Sequence, residues 1–279
     1  MFKILLKKSL HDKVTLMKIF APNVTKNVKP GQFIILRTTK QGERIPLTVA
    51  DSDPIKKTIT IIFQVVGATT KILNEMQKGD HLSDLVGPLG RPSKLDNLKK
   101  VAVIGGGVGC AIAYPIVKYL HKKNTIVHTI IGFRTKNLII LKDELEKISN
   151  KLIITTDDGS FGEKAVVTDA LSNLIENGEK YDEVFAIGPL IMMKFVSLLT
   201  KKYNIKTTVS MNPIMIDGTG MCGGCRLTVG NEIKFACVDG PDFDGHLVDF
   251  DETIKRNLMY EKLEKKAYDD VCNLLKGEK

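Results

Sequence analysis

The sequence predicts a β barrel followed by an α/β domain with a parallel sheet, and behind them a small cysteine-bearing module. Three observations lead there. Up to about residue 97 the chain is a series of short β-rich runs broken by turn signals, the pattern of a small antiparallel barrel. From about 98 to 210 strand-like runs alternate with helical ones, which implies parallel strands joined by crossover helices. Beyond that, three of the five cysteines fall within sixteen positions, Cys222 to Cys237. At 279 residues the chain has room for about two domains of ordinary size.

In the first segment the β-rich runs are 2–7, 14–20, 32–38 and 58–66, separated by turn signals at Pro22 and Asn23, Pro30 and Gly31, Gln41 and Gly42, and 51–54. Two stretches look chemical. Arg44, Ile45, Pro46, Leu47 and Thr48 place a cation, a rigid proline and a hydroxyl on one extended segment. Gly67, Ala68, Thr69 and Thr70 precede a short helical run, 71–76, whose free N–H groups suit a phosphate. Alone, each also has an ordinary reading, a surface arginine and a common turn.

In the second segment the strands are 100–104, 125–131, 152–155, 184–187 and 206–210, and the helices 109–121, 141–149, 165–177 and 189–202. Gly105, Gly106, Gly107, Val108 and Gly109 stand directly after a buried strand and before a helix, where a dinucleotide pyrophosphate binds. The match to G-x-G-x-x-G is imperfect, because Cys110 occupies the third glycine. Nor does the next strand end in an acid; it runs into Gly132, Phe133 and Arg134.

Asp217, Cys222, Cys225 and Cys237 are spaced D-x4-C-x2-C-x11-C. This is the plant-type ferredoxin spacing with its first thiolate replaced by a carboxylate. Gly218, Gly220, Gly223 and Gly224 lie between the candidate ligands, where a loop wrapping a cluster needs left-handed backbone and amides aimed at sulfur. A structural zinc site fits the same donors, and a disulfide is the third reading. Residues 251–275 read as one amphipathic helix, with Ile254, Leu258, Leu263, Ala267, Val271 and Leu274 at helical spacing, packed on its own domain. Cys110 and Cys272 read as plain buried thiols. The expected division is 1–97, 98–210, 211–250 and 251–279.

The net charge of +9 does not point to nucleic acid: only six of the 41 basic residues are arginine, and the lysines are scattered without aromatic interleaving. A lysine-rich surface instead suits attraction of acidic partners. The apolar run at the start is too short for a signal peptide or a membrane span, so a cytoplasmic protein with no membrane attachment is expected.

Together the segments resemble the ferredoxin reductase family, in which an R-x-Y-S or R-x-P-[LI]-[ST] stretch holds FAD in an antiparallel barrel. Gly79 with Asp80, and Gly87, Pro88, Leu89 and Gly90, occur where that family has G-D and G-P-L-G. The resemblance implies that Arg44 pairs with the FAD diphosphate, that Pro46 and Leu47 lie along the isoalloxazine, and that Thr48 sits near the reactive ring nitrogen as the catalytic residue. It implies that Ile62, Phe63 and Gln64 line the cofactor, with Gly67 and Thr69 or Thr70 at the phosphate. The aromatic of R-x-Y-S is absent. The family's nucleotide domain uses G-G-G-x-G, and its G-P-x-x-M segment near the nicotinamide is matched by Gly188, Pro189 and Met192, with Ile187 where a cysteine often stands. Asp157 falls in the family's segment after the third strand, and Arg134 is a candidate for a 2'-phosphate or the adenine.

The order of barrel, nucleotide domain and cluster module is similar to the cluster-bearing flavoprotein subunits of two-subunit oxidoreductases. These include the electron-transfer subunit of dihydroorotate dehydrogenase and the small subunit of NADH-dependent ferredoxin:NADP oxidoreductase, also described as a sulfide dehydrogenase subunit, some members being electron-bifurcating. Asp217 in place of the first cysteine matches the second group. The resemblance implies FAD, a 2Fe-2S cluster and NAD(H), with NADP(H) still open, and a larger flavoprotein subunit carrying 4Fe-4S clusters through which ferredoxin is served. A nicotinamide gives two electrons as hydride, a cluster takes one at a time, and flavin converts between them. The rival class is a zinc-bearing nucleotide-binding module without redox chemistry.

Overall fold

The computed structural model describes residues 2–277. The N-terminal part is a nearly closed antiparallel sheet. Its strands are β1 (Phe2–His11), β2 (Val14–Phe20), β3 (Phe33–Arg37), β4 (Ile45–Asp53), β5 (Thr58–Gln64), β6 (His81–Leu82) and β7 (Asp84–Leu89), in the order β6-β1-β2-β5-β4-β3-β7. A short helix, α1 (Pro22–Thr25), starts on a proline whose fixed φ suits a first turn. A second, α2 (Ala68–Glu75), follows β5. Strand period explains the barrel: along β5, Ile59, Ile61 and Phe63 point into a core shared with Ile4, Met17, Ile19, Ile34 and Leu36, while Ile62 joins a different core outside the barrel.

The second part is a six-stranded sheet made of β8 (Lys100–Gly106), β9 (Ile126–Phe133), β10 (Lys151–Thr156), β11 (Glu183–Ile187) and β12 (Thr207–Ser210), all parallel, with one antiparallel edge strand. The crossover helices are α3 (Gly109–Lys122), α4 (Lys142–Glu146), α5 (Val167–Glu176) and α6 (Leu190–Lys202). Both faces of the sheet are covered, so β8 and β11 read as unbroken apolar runs and are buried almost throughout.

The cysteine module contains a hairpin that the sequence did not announce, β13 (Arg226–Val229) with β14 (Glu232–Phe235), which spans the gap between Cys225 and Cys237. The edge strand of the parallel sheet also comes from this module: β15 (Asp242–Asp244) pairs with β12. At three residues it is too short to leave a periodic signal.

The three parts share cores. Phe33 and Ile35 of the barrel, Ile104 and Val209 of the parallel sheet, and Cys225, Leu227, Cys237 and Phe243 of the module pack into one apolar cluster. On the other face of the sheet, Val14, Ala50 and Ile62 of the barrel pack with Ala113 and Val117 of α3. Lys118 of α3 pairs there with Asp51 of β4 at 2.6 Å.

The expected single helix over 251–275 is two helices. The first, α7 (Phe250–Asn257), is capped by Asp249, whose side chain accepts the Glu252 N–H at 2.9 Å, and it packs on α6 and β13. A turn at Leu258, Met259 and Tyr260 changes the phase, and α8 (Glu261–Gly277) runs back to the barrel and packs on α2. The half-buried side of α8 is therefore Tyr268, Val271, Cys272 and Leu275, while Leu263 and Leu274 of the expected stripe are exposed. Among the described residues no helix is long and apolar enough to cross a membrane.

Candidate functional site: a nucleotide cavity and a cysteine loop

The glycine turn is held by backbone packing. β8 ends at Gly106, Gly107 takes a left-handed φ of +54°, and α3 begins at Gly109. A Cβ on Gly109 would land on the carbonyl oxygen of Ile187 and 2.8 Å from Gly188 Cα. One on Gly188 would lie 3.0 Å from the backbone of Gly106, and one on Gly106 would meet Met192 Sδ at 2.5 Å and Pro189 Cδ at 3.0 Å. The turn and the segment from Gly188 to Met192 are thus pressed together. A Cβ on Gly105 would meet Cys110 Sγ at 2.9 Å, so the cysteine at the third-glycine position fits because Gly105 leaves it room. Burial pushes that thiol far up, which makes it an inert packing group.

Around the turn lies a cavity of about 910 Å³. Gly106, Gly107, Val108 and Gly109 line it, as do Arg134, Asp157, Gly188, Pro189 and Met192. Asp157 and Arg134 are neighbours: β9 and β10 pair Phe133 with Thr156, and the Asp157 N–H continues the ladder to the Phe133 carbonyl at 3.0 Å. The cavity reaches beyond this domain. His11, Val14 and Gln64 of the barrel form one wall, and Ser210 and Asn212 the approach to the cysteine module. Of these, only Gln64 had a signal in the sequence; a histidine beside Asp12 at a hairpin end reads as an ordinary turn.

In the barrel, β4 starts at Ile45, with Arg44 just before it, and Pro46, Leu47 and Thr48 pair with Ile35, Ile34 and Phe33. All three are half-buried. Arg44 is 48% exposed and 4.0 Å from Asp84, a distance that leaves its guanidinium available to an anion. The start of α2 comes up beside it, since Thr69 Oγ1 donates to Glu43 Oε2 at 3.0 Å. The Thr70 hydroxyl is used internally: it accepts the Val66 and Gly67 N–H groups and donates to the Gly67 carbonyl. What α2 offers a phosphate is therefore its first-turn N–H groups, since the first backbone bond of the helix is made by Lys71 to Gly67. Phe63 departs from expectation. Its side chain is in the barrel core, 2% exposed, because strand alternation sends it inward when Ile62 and Gln64 face out.

In the cysteine loop the donors come as two pairs. Cys225 and Cys237 are buried with their sulfurs 3.2 Å apart, and Cys222 is exposed. Cys225 Sγ accepts the Cys237 N–H, and Cys222 Sγ the Gly224 N–H, each at 3.4 Å. Burial, with the neighbouring Cys225 thiol, pushes the Cys237 thiol up to about 12. Asp217 is tied to Cys222: its carboxylate accepts the Thr219 N–H at 2.7 Å and the Cys222 N–H at 2.8 Å. These bonds hold the carboxyl below the usual range, Thr219 contributing most. Gly218, Gly220 and Gly223 all have positive φ, the backbone that a loop turning its amides toward sulfur requires. Among the described residues no three His, Cys, Asp or Glu side chains gather about a single point. The carboxylate of Asp217 and the thiols of Cys222, Cys225 and Cys237 are four donors of the kind that would hold a two-iron cluster.

The loop is seated against the barrel. A Cβ on Gly218 would meet Ile35 Cγ1 at 2.8 Å and Leu89 Cδ1 at 3.0 Å, and Ile35 is the partner of Pro46. Past Cys237 the chain is fastened to the link between barrel and parallel sheet. The Arg91 N–H donates to the Gly240 carbonyl at 2.6 Å, Arg91 Nε to the Val238 carbonyl at 2.9 Å, and Ser93 Oγ to Asp242 at 2.5 Å.

A barrel joined to a parallel-sheet nucleotide domain, with a cysteine loop closing on both, defines an oxidoreductase of the ferredoxin reductase-like class. Residues 103–198 match the family model of the oxidoreductase NAD-binding domain, and residues 212–249 that of the iron-sulfur cluster binding domain of dihydroorotate dehydrogenase B. The chain is 49% identical, over 90% of its length and 88% of the relative's, to a dihydroorotate dehydrogenase B (NAD(+)) electron transfer subunit homolog of Thermotoga maritima. It is 34% identical to the electron transfer subunit of that enzyme in Clostridium acetobutylicum, over 78% of this chain and 85% of the other. It superposes, with a TM-score of 0.92, 46% identity and 97% coverage of both chains, on a chain of the NADH-dependent reduced ferredoxin-NADP oxidoreductase, solved in a study of flavin-based electron bifurcation. A ferredoxin NADP+ reductase of Neisseria gonorrhoeae, at 18% identity and a TM-score of 0.58, shares the fold. The chain belongs to the family of dihydroorotate dehydrogenase B electron-transfer subunits and their homologues.

Proposed function

We propose that the chain is the small, electron-transferring subunit of a two-subunit NADH-dependent ferredoxin:NADP oxidoreductase, working between NAD(H), FAD and a 2Fe-2S cluster. The fold and the two family matches support FAD, an iron-sulfur cluster and NAD(H). Bound flavin supplies the conversion between the two electrons of a hydride and the single electrons that a cluster handles. In this reading Arg44 and the first-turn N–H groups of α2 bind the flavin diphosphate. Pro46, Leu47 and Thr48 border its ring, with Thr48 at the reacting edge, and Ile62 and Gln64 flank it. Gly105 to Gly109 hold the nucleotide diphosphate, Gly188 to Met192 hold the nicotinamide, and Asp157 and Arg134 meet the ribose and adenine. Asp217, Cys222, Cys225 and Cys237 are the cluster ligands.

The observation that carries this reading is the seating of the cysteine loop on β3, one strand from Pro46 and Leu47. A structural metal loop has no need to lie against the strand that borders a flavin. An electron path does. The homologues are subunits of complexes, which implies a larger partner subunit. After the loop's three thiols only Cys110 and Cys272 remain, so further 4Fe-4S clusters, and the reduction of ferredoxin, belong to that partner. Five free cysteines suit the reducing cytoplasm.

The test is the composition of the purified protein: about one FAD, two irons and two acid-labile sulfides per chain, with the flavin bleached by NADH more readily than by NADPH. A colourless protein with stoichiometric zinc overturns the reading, and a strong preference for NADPH overturns the choice of nucleotide.

A further inference from the structure

His11 lies outside every motif that the family reading uses, yet it lines the nucleotide cavity. It is the last residue of β1. The register runs from His11 to Val14 across the hairpin and from Val14 to Gln64 across β2 and β5, so these three form one row at the end of the barrel. That row is the barrel's share of the cavity lining, and Gly106 to Gly109 with Ile112 in the first turn of α3 line the same cavity from the other domain. A turn of glycines followed by the start of a 14-residue helix is an anion seat, and α3 carries no acid in its first turn to fill it.

The hydrogen bonds of the ring fix what His11 can offer. Its Nδ1 accepts the Lys13 N–H at 3.2 Å, so in the neutral ring the proton sits on Nε2. No described residue accepts from Nε2. The imidazole therefore presents an unused N–H donor to the cavity when neutral and a cation when protonated.

We propose that His11 is a binding residue for the diphosphate of the pyridine dinucleotide, reaching it from the barrel while the glycine turn holds it from the other side, and that the nucleotide binds with uptake of a proton from solvent onto this ring. The proposal rests on the reading of the cavity as the nucleotide site. It adds a contact from the barrel, so that nucleotide binding engages both domains.

The charges around the ring set the direction of the proton. Burial holds the imidazole below its ordinary value, and Asp12, beside it on the hairpin, offsets this in part. Lys13 meets it only through its backbone N–H. From β5 it faces the neutral Gln64, and the charged groups elsewhere on the cavity wall are Arg134 and Asp157. In the free protein at neutral pH the ring is uncharged. Charging the ring puts the second proton on Nδ1 and gives up the Lys13 N–H bond there; a diphosphate at Nε2 favours the charged form against that cost, so the bound state holds more proton than the free state. Affinity then rises as pH falls through the bound-state value toward the lower free-state value, and levels off below it.

The experiment uses the holoprotein and ADP-ribose, which carries the same bridging diphosphate without the nicotinamide and, unlike ADP, has no terminal phosphate that titrates near neutral pH, with NADH alongside. Isothermal titration at pH 7 in two buffers of different ionisation enthalpy reads the proton uptake directly. The wild type is expected to take up a fraction of a proton with ADP-ribose and none with adenosine. His11→Gln, which retains a neutral donor, should bind ADP-ribose with no proton uptake and a flat pH profile, and His11→Ala should bind it about tenfold more weakly. If the wild type binds ADP-ribose and NADH but His11→Ala matches it in affinity and proton count, the role given to His11 is wrong and the cavity reading stands. If the wild type binds neither ligand, the cavity reading fails first. Loss of FAD from a folded His11→Ala protein would assign the ring to the flavin and overturn the proposal.

Discussion

Replacing Gly109 with alanine tests the central packing of the nucleotide site. The added methyl would fall on the Ile187 carbonyl oxygen and within 2.8 Å of Gly188 Cα, both backbone atoms on a different strand-to-helix link. No side chain can swing aside, so the two links must separate by about 1 Å to restore ordinary contact. Overpacking of this kind costs about 1–3 kcal/mol. If the cost falls on the closed arrangement of the turn, NADH binding weakens by about 5- to 150-fold; if it falls on the fold, stability drops by the same amount. Urea denaturation and NADH titration of one variant measure the two shares. Gly106→Ala and Gly107→Ala supply the contrast. The first meets chiefly the flexible end of Met192, and the second meets nothing within 4 Å, so its main cost is a left-handed backbone, about 1 kcal/mol. Equal and small effects from all three variants would refute the argument that backbone contact between the links builds the site.

Arg44→Ala should release flavin on dialysis while the cluster absorbance stays, because alanine cannot replace charge-assisted bonds to a diphosphate; full retention of flavin would remove Arg44 from the site. Asp217→Ala should make the cluster labile, and Asp217→Cys should keep a cluster with a changed visible spectrum and potential, since thiolate is a softer donor. Both variants matching the wild type would return Asp217 to the turn it forms with Thr219 and Cys222. Asp242 supplies a pH-dependent test of stability. Burial pushes its carboxyl up to about 6, against the lowering effect of the Ser93 and Ser210 hydroxyls. The fold thus favours the protonated acid, and stability is lost as pH rises from about 4 through about 6. Asp242→Asn removes that loss, at most about 3 kcal/mol at neutral pH. Its advantage over the wild type in denaturation should grow between about pH 4 and pH 6 and level off above that, and a pH-independent difference would show that the carboxyl titrates normally.

The parts of the fold that could be read from the chain are those with long periods. The runs at 100–104 and 184–187 are short, apolar and flanked by turn signals, which suits central strands buried on both faces, and the helix from Gly109 follows from the glycine turn that starts it. The pieces that escaped notice are short or depend on a distant partner. β15 is three residues long and exists because β12 offers it an edge. The break at 258–260 is invisible in a hydrophobic stripe that happens to continue across it. Within the site, the cysteines and glycines were legible because their spacing is itself the chemistry. Phe63 was misplaced because a motif names neighbours without saying which face each takes. His11 left no local trace, since only the folding of the barrel against α3 brings it to the cavity wall.

The fastening of Arg91 and Ser93 to 238–242 means that the cysteine loop holds the hinge between barrel and parallel sheet. With Phe33, Ile104 and Cys237 in one core, a cut between the parts would expose apolar surface on each of them. Exchanging the cluster module between relatives, as one would swap a cassette, would carry off the edge strand of one domain and the clasp of the other. Hybrids made at residue 211 should be poorly soluble, whereas those that also bring 90–93 from the same parent keep the clasp matched.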